Sequence, residues 1–234
     1  IERLLIPTGL HHILNQTVRF TAVGGSAVID GEQVVGALNI FNASLASKTP
    51  VPADVVRMST RLLAQGKIPI MMFGLIGAAC AMYQTANEKE KGRIKALMIA
   101  GASASFVTGI TEPLEFAFMF VSPVLFIFHA VMTGLSFFLM QIFGVMIGNV
   151  QGGIIDLAVF GILKGTETHW YFAVIVGIAY FFIYYFFFKF IILSRNIETP
   201  GREKEEAEGA AVKLSGDMEE TAENIIKAVG GSGN

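Results

Sequence analysis

The chain has 234 residues, 53% hydrophobic and 15% charged, with 25 glycines beyond that apolar share and a formal net charge of -2. Soluble domains hold roughly 45–50% apolar residues with glycine included and about 25% charged, so this composition excludes an ordinary soluble domain. The charge balance excludes a strongly basic nucleic-acid binder. One cysteine, Cys80 in the apolar run Ile68–Met82, leaves no disulfide framework or multi-cysteine metal site and reads as a small packing residue.

The chain opens at Ile1-Glu2-Arg3 with no Met or signal peptide, so it is expected to be truncated at the front. Leu4–Phe20 is apolar but broken by Pro7, Gly9, His11, His12 and Asn15, the pattern of a span with one face on water or ligand. Gly24–Val56 is polar and turn-rich, with Asp30-Gly31 as a turn signal, and fits a strand pair or a re-entrant segment. Val55–Gln65 reads as a short helix. After Gly66-Lys67-Ile68-Pro69 comes a span, Ile70–Tyr83, whose Gly74, Gly77, Ala78, Ala79 and Ala81 suit close helix approach.

Lys89, Lys91, Arg93 and Lys95 form one basic cluster and Lys189, Arg195 and Arg202 another, both cytoplasmic by the positive-inside rule. No Asp, Glu, Lys or Arg occurs from Phe116 to Ile155 or from Thr168 to Phe188, and roughly 20 apolar residues suffice for one span. Counting back from a cytoplasmic tail, Trp170–Phe188 crosses, Asn149–His169 lies outside and Phe126–Gly148 crosses back. Ala96–Leu125 then enters and leaves on the same side. Gly109-Ile110-Thr111-Glu112-Pro113 sits in the middle of that stretch, and the proline breaks helix just before it. Broken backbone at membrane depth is tolerated where protein or a watery cavity receives it. The expected fold is an all-α membrane protein of transmembrane helices with re-entrant hairpins over 1–195. A cytoplasmic linker follows at 196–216, and 217–234 begins a soluble domain whose first helix is Met218–Val229.

Glu112 and Glu115 are the only carboxylates between Glu90 and Asp156. A charge at the bilayer centre costs about 2.5–3.5 kcal/mol on insertion scales, so Glu112 reads as functional, against the alternative of a hydrogen bond that caps the hairpin. Glu115 can serve a ligand or bind backbone N–H groups. His11 and His12 are adjacent, about 100° apart on a helix, so both face one ligand only if the helix is unwound there. Arg3 lies slightly over two turns before His11. An Arg, a His and a Glu suit a neutral polyol, because a carboxylate accepts from hydroxyls while guanidinium and imidazole donate; the alternative is an Arg–Glu pair holding the fold. His129 reads as an interhelical donor and His169, beside Trp170, as part of the interfacial belt. No Cys partner and no second His at i+4 support a metal site. Gly152-Gly153 lacks the strand and helix context of a phosphate loop, and no nucleophile–base pair reaches the standard of a hydrolase.

Four motifs occur in order: Gly9-Leu10-His11-His12, Met71-Met72-Phe73-Gly74-Leu75, Gly109-Ile110-Thr111-Glu112-Pro113-Leu114-Glu115-Phe116 and Thr199-Pro200-Gly201-Arg202. Together they resemble the membrane subunit, IIC, of the glucose superfamily of bacterial phosphoenolpyruvate-dependent sugar phosphotransferase systems, over nearly the whole chain. Ile76 departs from the pattern, which usually has Pro there. The resemblance implies the sugar-carrying C-terminal half of a two-part IIC domain, whose N-terminal half makes the dimer scaffold. It makes Ala96–Leu125 the second hairpin, with Glu112 binding sugar hydroxyls, His11 and Arg3 at sugar-site positions and Gly66-Lys67 supplying a further contact. The candidate substrate-binding set is Glu112, His11, Arg3, Thr111, Lys67 and His12.

In that family the sugar is phosphorylated by a phosphocysteine on a following IIB domain, whose opening Met218–Asn234 resembles. The reactive cysteine lies beyond residue 234 and Cys80, in an apolar span, does not replace it. This chain therefore holds no catalytic residue, metal or cofactor, and its role is to bind and orient sugar. The implied partners are the sugar, the IIB domain and IIA protein, membrane lipid and a second copy, with no nucleic acid; the implied location is the bacterial inner membrane with the C-terminus cytoplasmic. Asn15–Val23, Val28–Asn42 and Asn149–Phe160 look closer to maltose and glucoside members than to those for glucose or N-acetylglucosamine. Two rival readings are an ion-coupled sugar transporter with broken helices at the midplane and a membrane-embedded enzyme, which needs a second catalytic group near Glu112.

Overall fold

The structure is a computed structural model that describes residues 2–203, so most of the expected linker and all of the expected start of a soluble domain lie outside the described residues. Helices dominate. A 3-10 segment, Glu2–Thr8, contains Pro7 and ends at Gly9, whose φ of +72° stops it before α1, His11–Phe20. Gly24–Val56 begins with the strand pair, β1 at Ser26–Ile29 antiparallel to β2 at Glu32–Val35. Ile29 pairs with Glu32 across Asp30 and Gly31, both at positive φ, the two-residue turn that Asp-Gly favours. Two short helices follow, α2 at Ala37–Ala46 and α3 at Ala53–Thr60. The α3 helix starts and stops earlier than the expected Val55–Gln65. Pro52 sits at its N-cap, and the Ser59 and Thr60 hydroxyls donate back to the Val56 and Arg57 carbonyls, the local competition that weakens a helix end.

Among the described residues three helices are long and apolar enough to cross a membrane: Ala64–Thr85, Pro123–Ile142 and Trp170–Ser194. At 1.5 Å per residue, about 20 residues match the hydrocarbon thickness. The first is the central one, with 72% of its apolar window buried against 33% and 28% for the others. Its irregularity falls not at Ile76 but at a π turn, Ile70–Gly74, just after Pro69, and its regular part is α4, Leu75–Thr85. The Ser105 hydroxyl donates to the Met71 carbonyl at 2.6 Å and supplies a partner where the ladder is disturbed.

The chain then forms α5, Lys91–Thr108, and α6, Glu112–Met119, with the break at Gly109–Thr111. Helix α7 spans Pro123–Ile142 and ends short of the expected Gly148, because Gly144 turns the backbone at a φ of +64°. A short α8, Ile154–Asp156, runs into a π-helical segment Leu157–Ile162. The last helix among the described residues, α9, covers Trp170–Ser194 and continues past the expected Phe188.

Side-chain polarity along α7 is the reverse of that in a soluble helix. Ile127, Val131, Leu135, Phe138 and Ile142 recur every three or four residues and are exposed, while His129, Thr133 and Ser136 are buried. A helix that turns apolar groups outward and polar groups inward suits an apolar surrounding such as hydrocarbon. The α9 helix likewise exposes Ile175, Ile178, Phe182, Phe186 and Phe190. It packs on α4 so closely that a Cβ at Gly77 would lie 2.3 Å from the Phe181 carbonyl oxygen, as the small residues of that span lead one to expect.

Both basic clusters come to the same end of this unit. Asn87 N–H donates to the Gly201 carbonyl at 2.9 Å. Arg202 donates to the Thr85 carbonyl at 2.8 Å, to the Ile197 carbonyl at 3.2 Å and to Asn196 Oδ1 at 2.8 Å. The Thr-Pro-Gly-Arg motif is thus a clasp between the ends of α4 and α9. Arg202→Ala removes charge-assisted bonds worth about 1.5–3 kcal/mol, and thermal unfolding in detergent should show a loss of that order.

At the strand pair, Asp30 accepts from the Thr49 hydroxyl at 2.8 Å, the Lys48 N–H at 3.2 Å and the Ser47 hydroxyl at 3.0 Å. These donors hold its carboxyl below the ordinary value of 3.8. A depressed folded-state pKa contributes stability that is present above the unfolded value and is lost as pH falls through the lowered one. Hydrogen exchange of the Lys48 and Thr49 amides should therefore accelerate as pH falls from about 4, after the intrinsic pH dependence is removed. Asp30→Asn should abolish that acid step.

Candidate functional site

One cavity of about 470 Å³ collects all six residues that the sequence marks for binding: Arg3, His11, His12, Lys67, Thr111 and Glu112. Ligand pockets run from about 300 to about 1,000 Å³. Four separate stretches build its walls: the 3-10 segment with the start of α1, Lys67 just ahead of the π turn, the break at Gly109–Thr111 with the start of α6, and the turn at Val150-Gln151.

Each polar side chain reaches the cavity because its stretch is irregular. His11 and His12 follow Gly9 at the very start of α1, where the 3-10 segment has just ended, and both line the cavity, their ring centroids 4.0 Å apart. Gly109 is left-handed at a φ of +75°, and a Cβ there would lie 2.7 Å from the Gln151 carbonyl oxygen, so only glycine fits. Glu112 is the first residue of α6, half-buried, where the helix dipole favours a carboxylate. It makes no hydrogen bond or ion pair among the described residues.

Arg3 is buried and pairs not with Glu112 but with Glu115, Nη1 to Oε1 at 2.5 Å, and also donates to the Thr111 hydroxyl at 3.3 Å. Glu115 holds Arg3, the Arg–Glu pairing that the sequence left open as the alternative, with Glu115 in place of Glu112. His129, fully buried on α7, lies 3.2 Å from the same carboxylate through Nε2, and its Nδ1 is 3.0 Å from the Tyr184 hydroxyl. An N–H on Nε2 donating to Glu115, with the tyrosine donating to Nδ1, satisfies both ring nitrogens. Lys67, also buried, reaches Glu2 Oε1 and the Val150 carbonyl oxygen, each at 3.3 Å.

The sequence reading missed Glu2, Arg19 and Gln151 as cavity-lining groups. Glu2 also accepts from Asn15 Nδ2 at 3.1 Å. The signal available for Glu2 was a carboxylate beside an arginine in an apolar stretch; Arg19 and Gln151 had none.

The lining brings three cations, Arg3, Arg19 and Lys67, and two carboxylates, Glu2 and Glu112, while Glu115 behind the lining offsets Arg3, so the charges at the site balance. That balance suits a neutral ligand over an anion. Three polar atoms at the cavity residues, Arg3 Nε, Arg3 Nη2 and His11 Nδ1, are buried with no hydrogen-bond partner. Buried polar atoms are nearly always paired, so these await a partner that water or a hydroxyl-rich ligand supplies. No cluster of three His, Cys, Asp or Glu side chains able to hold a metal occurs among the described residues.

The family model for the phosphotransferase system, EIIC, matches residues 1–134. Over its whole length the chain is 46% identical to the maltose-specific EIICB component of the phosphotransferase system of Escherichia coli K12 and covers 44% of that protein. It is 41% identical to the glucose-specific EIICBA components of Staphylococcus carnosus TM300 and Staphylococcus saprophyticus, covering all of itself and 33% of each. The chain thus spans less than half the length of these relatives.

Removing Glu115 leaves Arg3 buried and uncompensated, which costs about 3–5 kcal/mol. Glu115→Ala should lower unfolding stability in detergent by that order, whereas Glu112→Ala, at a half-exposed and unpaired carboxylate, should leave it nearly unchanged.

Proposed function

The chain belongs to the EIIC family of the phosphotransferase system, and from that premise we propose that it binds a neutral sugar in the 470 Å³ cavity and carries it across the membrane for phosphorylation. The observation that carries this reading is the gathering of Glu112, both histidines, Lys67 and the orphaned Arg3 donors around one space of balanced charge. Glu112 accepts from sugar hydroxyls, while Arg3, Lys67 and the imidazoles donate. Holding one hydroxyl at a fixed place is what an external phosphoryl donor needs. That donor is a phosphocysteine on a IIB domain, itself charged by a IIA protein, which agrees with a maltose-specific relative named EIICB and a glucose-specific one named EIICBA.

In this reading Ala96–Leu125 is a re-entrant hairpin whose tip, at Gly109–Glu112, meets the sugar. The basic clusters face the cytoplasm, and a homodimer forms through the N-terminal half of IIC. Maltose or a related glucoside is the substrate, supported by the higher identity to the maltose-specific relative.

The test is made on the full-length protein with phosphoenolpyruvate, the partner proteins and radiolabelled maltose, glucose and N-acetylglucosamine. Glu112→Gln and His11→Ala should abolish measurable binding without unfolding. A charged hydrogen bond is worth about 1.5–3 kcal/mol, which is about 10- to 150-fold in Kd for each one lost. Normal affinity in both variants would remove the site assignment. Uptake of unmodified sugar that follows a proton or sodium gradient would replace this reading with an ion-coupled one.

A further inference from the structure

The turn at 149–153 is built more firmly than a surface connection requires. Asp156, 3% exposed, accepts three hydrogen bonds from it: Asn149 Nδ2 at 2.7 Å, Gln151 N–H at 2.9 Å and Gly152 N–H at 2.7 Å. The turn needs positive φ at Asn149, +66°, and Gly152, +94°, and asparagine tolerates that region only at some cost. Two other walls of the cavity grip it. Ala64 N–H donates to the Asn149 carbonyl at 3.0 Å and Lys67 Nζ to the Val150 carbonyl at 3.3 Å. The Gly109 break approaches its Gln151 carbonyl so closely that no side chain fits between them.

What this clamped turn offers to the cavity is Gln151. The residue is exposed and lines the space, and its side-chain amide makes no hydrogen bond among the described residues. A primary amide both donates and accepts, whereas Glu112 in its ionised form only accepts and Arg3 and Lys67 only donate. Set on a clamped turn, such a group can meet one hydroxyl, and a sugar that lacks that hydroxyl forgoes the bond.

Resting on the sugar-site reading above, we propose that Gln151 hydrogen-bonds one hydroxyl of the bound sugar and helps set which sugar is preferred, with Asp156 as the positioning residue that holds it there. Asp156 itself touches no ligand. Its carboxylate fixes Gln151 through the backbone and keeps the Val150 carbonyl in reach of Lys67.

The full-length protein is titrated calorimetrically with maltose, glucose and a set of their single-deoxy analogues. Gln151→Ala, at an exposed side chain that should not disturb folding, is expected to weaken the preferred sugar about 3- to 10-fold, the size of one neutral hydrogen bond. For one deoxy analogue, variant and wild type should bind equally, which identifies the hydroxyl. Unchanged affinity for every sugar, or an equal loss on every analogue, would overturn the proposal. Asp156→Ala should weaken all sugars, and Asp156→Asn should restore them. An asparagine oxygen can still accept the two backbone N–H groups, and the Asn149 amide can turn its oxygen toward the new NH₂. Failure of Asp156→Asn to rescue would overturn the positioning role, since a group needed for its charge or its proton is not replaced by an amide. A wild-type protein that binds none of the sugars would instead sink the site reading from which this one starts.

Discussion

The ion pair between Arg3 and Glu115 is the constraint to which the rest of the structure answers. Moving a guanidinium and a carboxylate out of water costs several kcal/mol per ion, so they persist together only where geometry and further hydrogen bonds repay that cost. Here the further bonds come from Thr111 and His129, and His129 is in turn met by Tyr184. One polar chain therefore joins the N-terminal 3-10 segment to α6, α7 and α9. Because Arg3 also lines the cavity, the same chain fixes the cavity's position relative to the helices that face lipid.

Around that anchor, three stretches abandon regular helix at the same place. Gly9, Gly109 and Gly152 each take a positive φ, and the residues beside them supply His11 and His12, Thr111 and Glu112, and Gln151. An unbroken helix presents a residue to a given spot only every three or four positions. Breaking it lets neighbouring residues line one cavity. Irregular backbone within a membrane is permitted where protein or a watery cavity covers it, and the cavity is where these breaks meet. Broken structure and binding capacity are two aspects of one arrangement.

Much of this was legible in local pattern. Gly109 and Pro113 announce a break, which falls at Gly109–Thr111 just ahead of Glu112, the Asp30-Gly31 turn announces the strand pair, and the small residues after Gly74 announce the close contact of α4 with α9. The residues singled out for binding line one cavity. What escaped was long-range. Nothing near Glu115 in sequence names Arg3, 112 positions away, as its partner, and nothing near Asp156 shows that its carboxylate is spent on the turn before it. The end of α7 at Ile142 was hidden because an apolar run continues past it; hydrophobicity marks what lies in lipid, while Gly144 decides where the helix stops.

The contact of α4 with α9 has a mechanical side. Gly77 of α4 admits the backbone of Phe181, and Gly177 of α9 receives the ring of Phe73 from the π turn that leads into α4, where a Cβ would come within 2.3 Å of that ring. Each helix carries a notch filled by the other, two opposed teeth in one seam. A shift of α9 along α4 would drive the aromatic ring into bulkier neighbours at both ends of its travel, and a close-packed interior has no slack to absorb it. Sliding of one helix past the other is therefore opposed at both notches, which favours the two tilting or travelling as one bar.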